Sequence, residues 1–136
     1  LNCLSYYREG LNAAEAEIAS QEALSFFKVF EMRLEGKKVK RWIAGVFEEA
    51  CADVRDEVIQ QFHKDRRDVP VEEYVYQNCR AASAHASKKY PSDADMSSET
   101  YRLSVAAEIM RALARYYIRT TFRLSDSYLS ETQGLE

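Results

Sequence analysis

Leu24-Ser25-Phe26-Phe27-Lys28-Val29-Phe30-Glu31-Met32-Arg33-Leu34 is the stretch that decides the fold class. Leu24, Phe27, Phe30 and Leu34 recur at spacings of three and four, with Phe26 and Val29 beside them. That period gathers side chains on one face of an α-helix, whereas a half-buried strand would alternate from residue to residue. Phe26, Phe27 and Phe30, together with Trp42 further on, are expected in the core. Gly36 follows as a helix stop.

Outward from this stripe only helical spacings repeat. Leu4, Tyr7, Leu11 and Ala14 predict an earlier amphipathic helix over residues 3–17. No Pro or Gly separates it from the next helix, and a break is placed at the soft stretch Ser20-Gln21. Val39, Ile43, Val46, Phe47 and Ala50 predict a third helix over 38–50, continuing or restarting through Val54, Val58, Ile59 and Phe62. The charged run His63-Lys64-Asp65-Arg66-Arg67-Asp68 and Pro70 end it, and His63 is expected to be solvated there. Val71-Glu72-Glu73 opens a fourth helix, its acids suiting the positive helix end. Tyr90 to Asp95 reads as a loop, and Ser97 or Ser98 as the cap of a long last helix carrying Leu103, Ala106, Ile109, Met110, Leu113, Tyr117 and Ile118.

The sum is an all-α bundle of about five helices. Residues 1–125 form one domain and 126–136 a polar tail. Four Gly and two Pro among 136 residues are too few for the turns of a β-sandwich or barrel. Net charge is −3, so no global basic excess advertises nucleic acid and any such contact needs a local patch. Cys3, Cys51 and Cys79 have no paired spacing, which suggests neither a metal knuckle nor a disulfide framework and points to a reduced, cytoplasmic setting. No apolar run approaches the ~18 residues of a membrane span. Leu at position 1 is compatible with a piece of a longer protein.

Chemistry concentrates in Tyr76-Gln77-Asn78-Cys79-Arg80-Ala81-Ala82-Ser83-Ala84-His85-Ala86. A guanidinium able to clamp phosphate stands five residues before an imidazole that exchanges protons near pH 7. Their neighbours are small, which permits close approach of a second helix or a ligand. On an ideal helix Arg80 lies about 140° around and ~7.5 Å along the axis from His85. Such a pair converges most readily across a two-fold dimer. Tyr74, Asn78, Ala81 and His85 share one face, making Tyr74 and Asn78 supporting candidates, while Val71, Val75, Cys79, Ala82 and Ala86 form the apolar stripe beside it. Arg111, Arg115, Arg119 and Arg123 recur every four residues as a basic ridge, with Tyr116 and Tyr117 nearby for stacking. Plain alternatives stand beside these: a structural His85, an ion-paired Arg80 and a solvated ridge. No Gly-rich phosphate loop or metal-ligand cluster is present, so no cofactor or metal is expected.

The Arg-x4-His pair on a helical chain resembles the HEPN domains, whose signature is Arg, four to six residues, then His. Leu4-Ser5-Tyr6-Tyr7-Arg8-Glu9-Gly10-Leu11, Leu24 to Glu31 and Cys79 to Ala86 resemble more closely still the J-type methylamine utilisation proteins. The HEPN resemblance implies a homodimeric, metal-independent endoribonuclease or RNA-binding module. His85 would then be the general acid–base and Arg80 the stabiliser of phosphorane charge. The position after the arginine is polar in many active members and is Ala81 here. A catalytically silent dimerisation or adaptor module, with a toxin/antitoxin-type partner or as part of a larger fusion, therefore stays open. So does an accessory protein of methylamine utilisation.

Overall fold

The computed structural model describes residues 2–32, 34, 36–87 and 93–122. They form six helices and, among the described residues, no strand: α1 (Asn2–Glu15), α2 (Ala19–Glu31), α3 (Lys37–Ala50), α4 (Asp56–Arg66), α5 (Val71–Ser87) and α6 (Asp93–Phe122). The all-α bundle expected from the spacing is what the chain adopts. The expected tail, 126–136, lies outside the described residues, as does Arg123.

α2 is the axle of the bundle, packed against α1, α5 and α6. Its Ala23, Phe26 and Phe30 are fully buried, and Phe27 and Val29 nearly so. Their burial covers most of the helix circumference, which an amphipathic surface helix does not do. Tyr7 of α1 meets Phe26 with ring centroids 5.5 Å apart, and Phe27 meets Tyr76 of α5 edge-on at 5.7 Å. Trp42 of α3 bridges Phe30 and Tyr117, at 5.2 and 5.6 Å. α6 supplies the opposite wall through Leu103, Ile109, Met110, Leu113 and Ile118, none of them accessible to solvent.

Two boundaries differ from those expected, and the choice between continuation and restart after residue 50 falls to restart. α1 stops at Glu15 through a left-handed C-terminal cap: Ile18 N–H donates to Ala13 O at 2.9 Å and Glu17 N–H to Ala14 O at 3.1 Å. The residue in the left-handed conformation is Glu17, with φ of 59°, so no glycine marks the stop. The third predicted helix is two helices. The chain turns at Cys51–Arg55, and Asp56 and Glu57 place negative charge on the restarted N-terminus. α6 begins at Asp93, so Asp93–Asp95 are helical and Ser97 and Ser98 lie inside the helix rather than capping it.

α1 and α2 approach each other at Gly10, where an added Cβ would stand 2.5–2.8 Å from three atoms of the Phe26 ring. That ring is fully buried and has no room to swing away. Gly10→Ala should therefore cost about 1–3 kcal/mol, the usual range for overpacking a core, in urea unfolding followed by circular dichroism. Glu17→Gly should do the opposite and raise stability by about 1 kcal/mol, by removing the side-chain clash of a left-handed residue. An unchanged midpoint for either would contradict the packing or the cap described here.

Candidate functional site

α5 turns a wide arc toward the core. Val75 and Ala82 are fully buried, as the apolar stripe predicts, but Tyr74 and Asn78 are buried with them at 7% and 2% exposure. Tyr74 packs edge-on against Phe62 at 5.3 Å, and burial pushes its phenol pKa up. Asn78 Nδ2 donates to the Tyr74 carbonyl at 2.8 Å, satisfying a buried amide within its own helix. These two residues lie in the interior, so the face they were expected to offer beside His85 is closed at their level. His85 belongs to α5, and its side chain lies outside the described residues.

Arg80 is on the opposite, exposed side. Its guanidinium carbon stands 5.6 Å from the centroid of the Tyr76 ring, and Lys40 Nζ of α3 lies over the same ring at 4.8 Å. Lys40 is held by Glu73, 3.1 Å away. Among the described residues no carboxylate is within ion-pair distance of Arg80. Burial pushes the Cys79 thiol up to about 11, Glu31 adds to that rise, and Lys28 and Arg80 oppose it. Two cations over one tyrosine, with Lys28 near, make a compact basic and aromatic patch.

A second site is a cleft of about 660 Å³ between the start of α2, the α3–α4 turn and one face of α6. No α5 residue lines it, so it is separate from Arg80. Arg111, Arg115 and Arg119, expected as a basic ridge, all border it, and the turn adds Arg55. The ridge is not purely basic, because Glu108 and Glu22 stand among the arginines. Arg55 donates to Glu108 at 2.9 Å, and Tyr116 donates to Glu49 at 2.9 Å.

Glu22 is the residue that sequence reading missed. It sits in the first turn of α2 and is only 8% exposed, yet it borders the cleft. Burial, reinforced by Glu108 and partly offset by Arg111, raises its pKa to about 7. No hydrogen bond or ion pair reaches its carboxylate among the described residues. The signal was a lone acid at the head of the most apolar helix, one turn before the phenylalanines.

His63 is not solvated as expected. It is half-buried against Phe47 and Phe62, and Arg66 Nε donates to its Nδ1 at 2.8 Å while Arg66 Nη1 donates to the Val69 carbonyl at 2.9 Å. Burial and the Arg66 charge lower its pKa, keeping the ring a neutral acceptor that ties α4 to the following turn. Cys3, Cys51 and Cys79 are free thiols, with burial raising Cys51 to about 12. Such thiols are poor nucleophiles.

Comparison with known families joins this architecture to one of them: the model of the methylamine utilization protein MauJ matches residues 3–119. The chain belongs to that family. No curated protein and no solved structure matches it. The family match spans both the Arg80 patch and the α6 cleft, from α1 to Arg119. No described helix is long and apolar enough to cross a membrane.

The buried acid has a measurable consequence. An unfolded Glu22 ionises near 4.5, whereas the folded one holds its proton to about 7. Between those values the folded state binds more protons, so Glu22 removes stability as pH rises from 4.5 to 7, and the loss then levels off. Glu22→Gln should match the wild type at pH 4.5 and exceed it at pH 8 by on the order of 1–2 kcal/mol, allowing for water in the cleft. Parallel denaturation curves at the two pH values test this, and a difference independent of pH would refute it.

Proposed function

We propose that this MauJ-family protein is an accessory factor of methylamine utilisation with a HEPN-like helical scaffold, and that as a homodimer it engages RNA through Arg80 and His85. The observation that carries this reading is the exposed guanidinium of Arg80, over Tyr76 and beside Lys40, with no carboxylate partner among the described residues. An ion-paired arginine would already be spent. This guanidinium can take a phosphate bidentately. Ser83 and Ala84 continue the exposed side of α5 with small side chains, which suits a second copy of the helix packing closely.

In the dimer each Arg80 would face the partner's His85 across a shared groove. His85 would move the proton at the 2′-hydroxyl or the leaving oxygen, and Arg80 would offset the charge that builds on phosphorus. Arg111, Arg115 and Arg119 lie on another face and would hold RNA only along a path that wraps the bundle. Ala81 favours a second reading, in which the groove binds RNA without cutting it. It is apolar and half-buried where active relatives of the HEPN type often place a polar group.

Purified protein should bind single-stranded RNA in fluorescence anisotropy. Arg80→Ala should lower the slope of log affinity against log salt by about 1, with Arg8→Ala on exposed α1 as the charge-matched control. If the groove is catalytic, RNA should be cut in the presence of a chelator, and His85→Ala should lose ~10²–10⁴-fold in rate with little change in unfolding midpoint. Binding without cleavage selects the silent module. A protein that neither binds nor cuts RNA removes RNA from its function.

A further inference from the structure

The α6 cleft has a chemistry of its own. Arg55 occupies Glu108 at 2.9 Å, and among the described residues neither Glu22 nor Arg111 has a side-chain hydrogen bond or ion pair. The two feel each other's charge but form no ion pair within 4.0 Å. An opposite pair on facing helices that stays apart frames a gap. Glu22 is more than nine-tenths buried on the α2 side of that gap, where an unpaired acid carries a large desolvation penalty unless something occupies it. Among the described residues no set of three metal-ligating side chains converges, so the donors suit an organic cation better than a metal ion.

We propose that the cleft binds a small dipolar molecule, its ammonium group on Glu22 and its acidic group on Arg111. The two ends have different jobs. The ammonium supplies the donors that Glu22 lacks and stabilises its ionised form. The acidic end takes the bidentate guanidinium that nothing else in the cleft engages, with Arg115 and Arg119 extending the positive wall. A purely cationic ligand would leave Arg111 unused and face the other guanidiniums. A purely anionic one would be repelled by Glu22, Glu108 and Asp53 around the same opening. This site is independent of RNA binding at Arg80.

Binding should also move a proton. Glu22 is close to half-protonated at pH 7, and an ammonium beside it favours the ionised form, so the complex releases protons. Asp53, Glu108, Arg55, Arg111, Arg115 and Arg119 face the same space.

The test is calorimetric titration of the whole chain with ω-amino acids from glycine to 6-aminohexanoate, each set against its carboxylate-only and amine-only counterpart. At least one chain length should bind about ten-fold more tightly than both counterparts. Its heat should depend on buffer ionisation in the sense of proton release at pH 7, and lose that dependence near pH 9. Glu22→Gln should abolish the preference over the carboxylate, and Arg111→Gln the preference over the amine. The wild-type proton count decides the matter even if a variant fails to fold. Equal binding of either counterpart, proton uptake, or no binding at any length overturns the proposal.

Discussion

Everything in this bundle depends on hiding α2. Six residues of that helix, Ala23, Ser25, Phe26, Phe27, Val29 and Phe30, are at most 1% exposed. A helix buried on nearly all sides needs cover from several directions, and α1, α5 and α6 provide it. The requirement explains features that look unrelated. Gly10 is small because α1 crosses the Phe26 ring there. α5 buries the wide arc from Tyr74 to Ala82 because it must lie flat against the axle rather than touch it along a seam. Trp42 reaches across from α3 to close the end around Phe30 and Tyr117. Close-packed aromatic contacts of this kind tolerate little change in volume.

The same axle places a carboxylate where it is costly. Glu22 heads α2, and the helix that must be covered carries it under cover too. Part of the cost is offset locally, since the positive end of α2 favours an acid in the first turn. Glu108 from α6 acts against it, and Arg55 holds Glu108 in place. A glutamine would fit that position without the charge. Keeping an ionisable group there, at the edge of a cleft wide enough for a small molecule, makes sense for a side chain that meets a ligand.

Periodicity made most of the fold legible. The stripes at Leu24–Leu34, Val39–Ala50 and Leu103–Ile118 are long, and side chains at three- and four-residue spacing have few other ways to share a core. What stayed hidden was set by backbone geometry without a residue signature. Glu17 adopts a left-handed cap that glycine usually fills, so the end of α1 was invisible. The turn at Cys51–Arg55 contains neither Pro nor Gly, so the sequence left open whether the helix continues or restarts there. At the sites the limit was tertiary. Arg111, Arg115 and Arg119 announce a ridge by spacing alone, but Glu22 comes from α2 and meets them only after folding. His63 sits in a charged run and still turns inward, because Phe47 and Phe62 offer it a surface and Arg66 a bond.

α2 also decides how the two surfaces relate. Glu22 borders the cleft, while Lys28, less than two turns further along, acts together with Arg80 on the Cys79 thiol of α5. Both therefore hang on one rigid element, but between them stand Phe26 and Phe27, buried and locked against Tyr7, Phe30 and Tyr76. Cores of this density change by jumps between discrete packings rather than by graded shifts. A ligand that fits the cleft beside this packing of the phenylalanines would leave α2 in place. The Arg80 patch would then keep its geometry whatever the cleft holds. Coupling between the sites would have to run through charge, and the path from Glu22 to Arg80 leads past Lys28 rather than through the core. A change of one charge at Glu22 is felt at that range only weakly in water, where screening sets in over about 8–10 Å. The architecture thus favours two surfaces that act independently on a shared, unyielding axle.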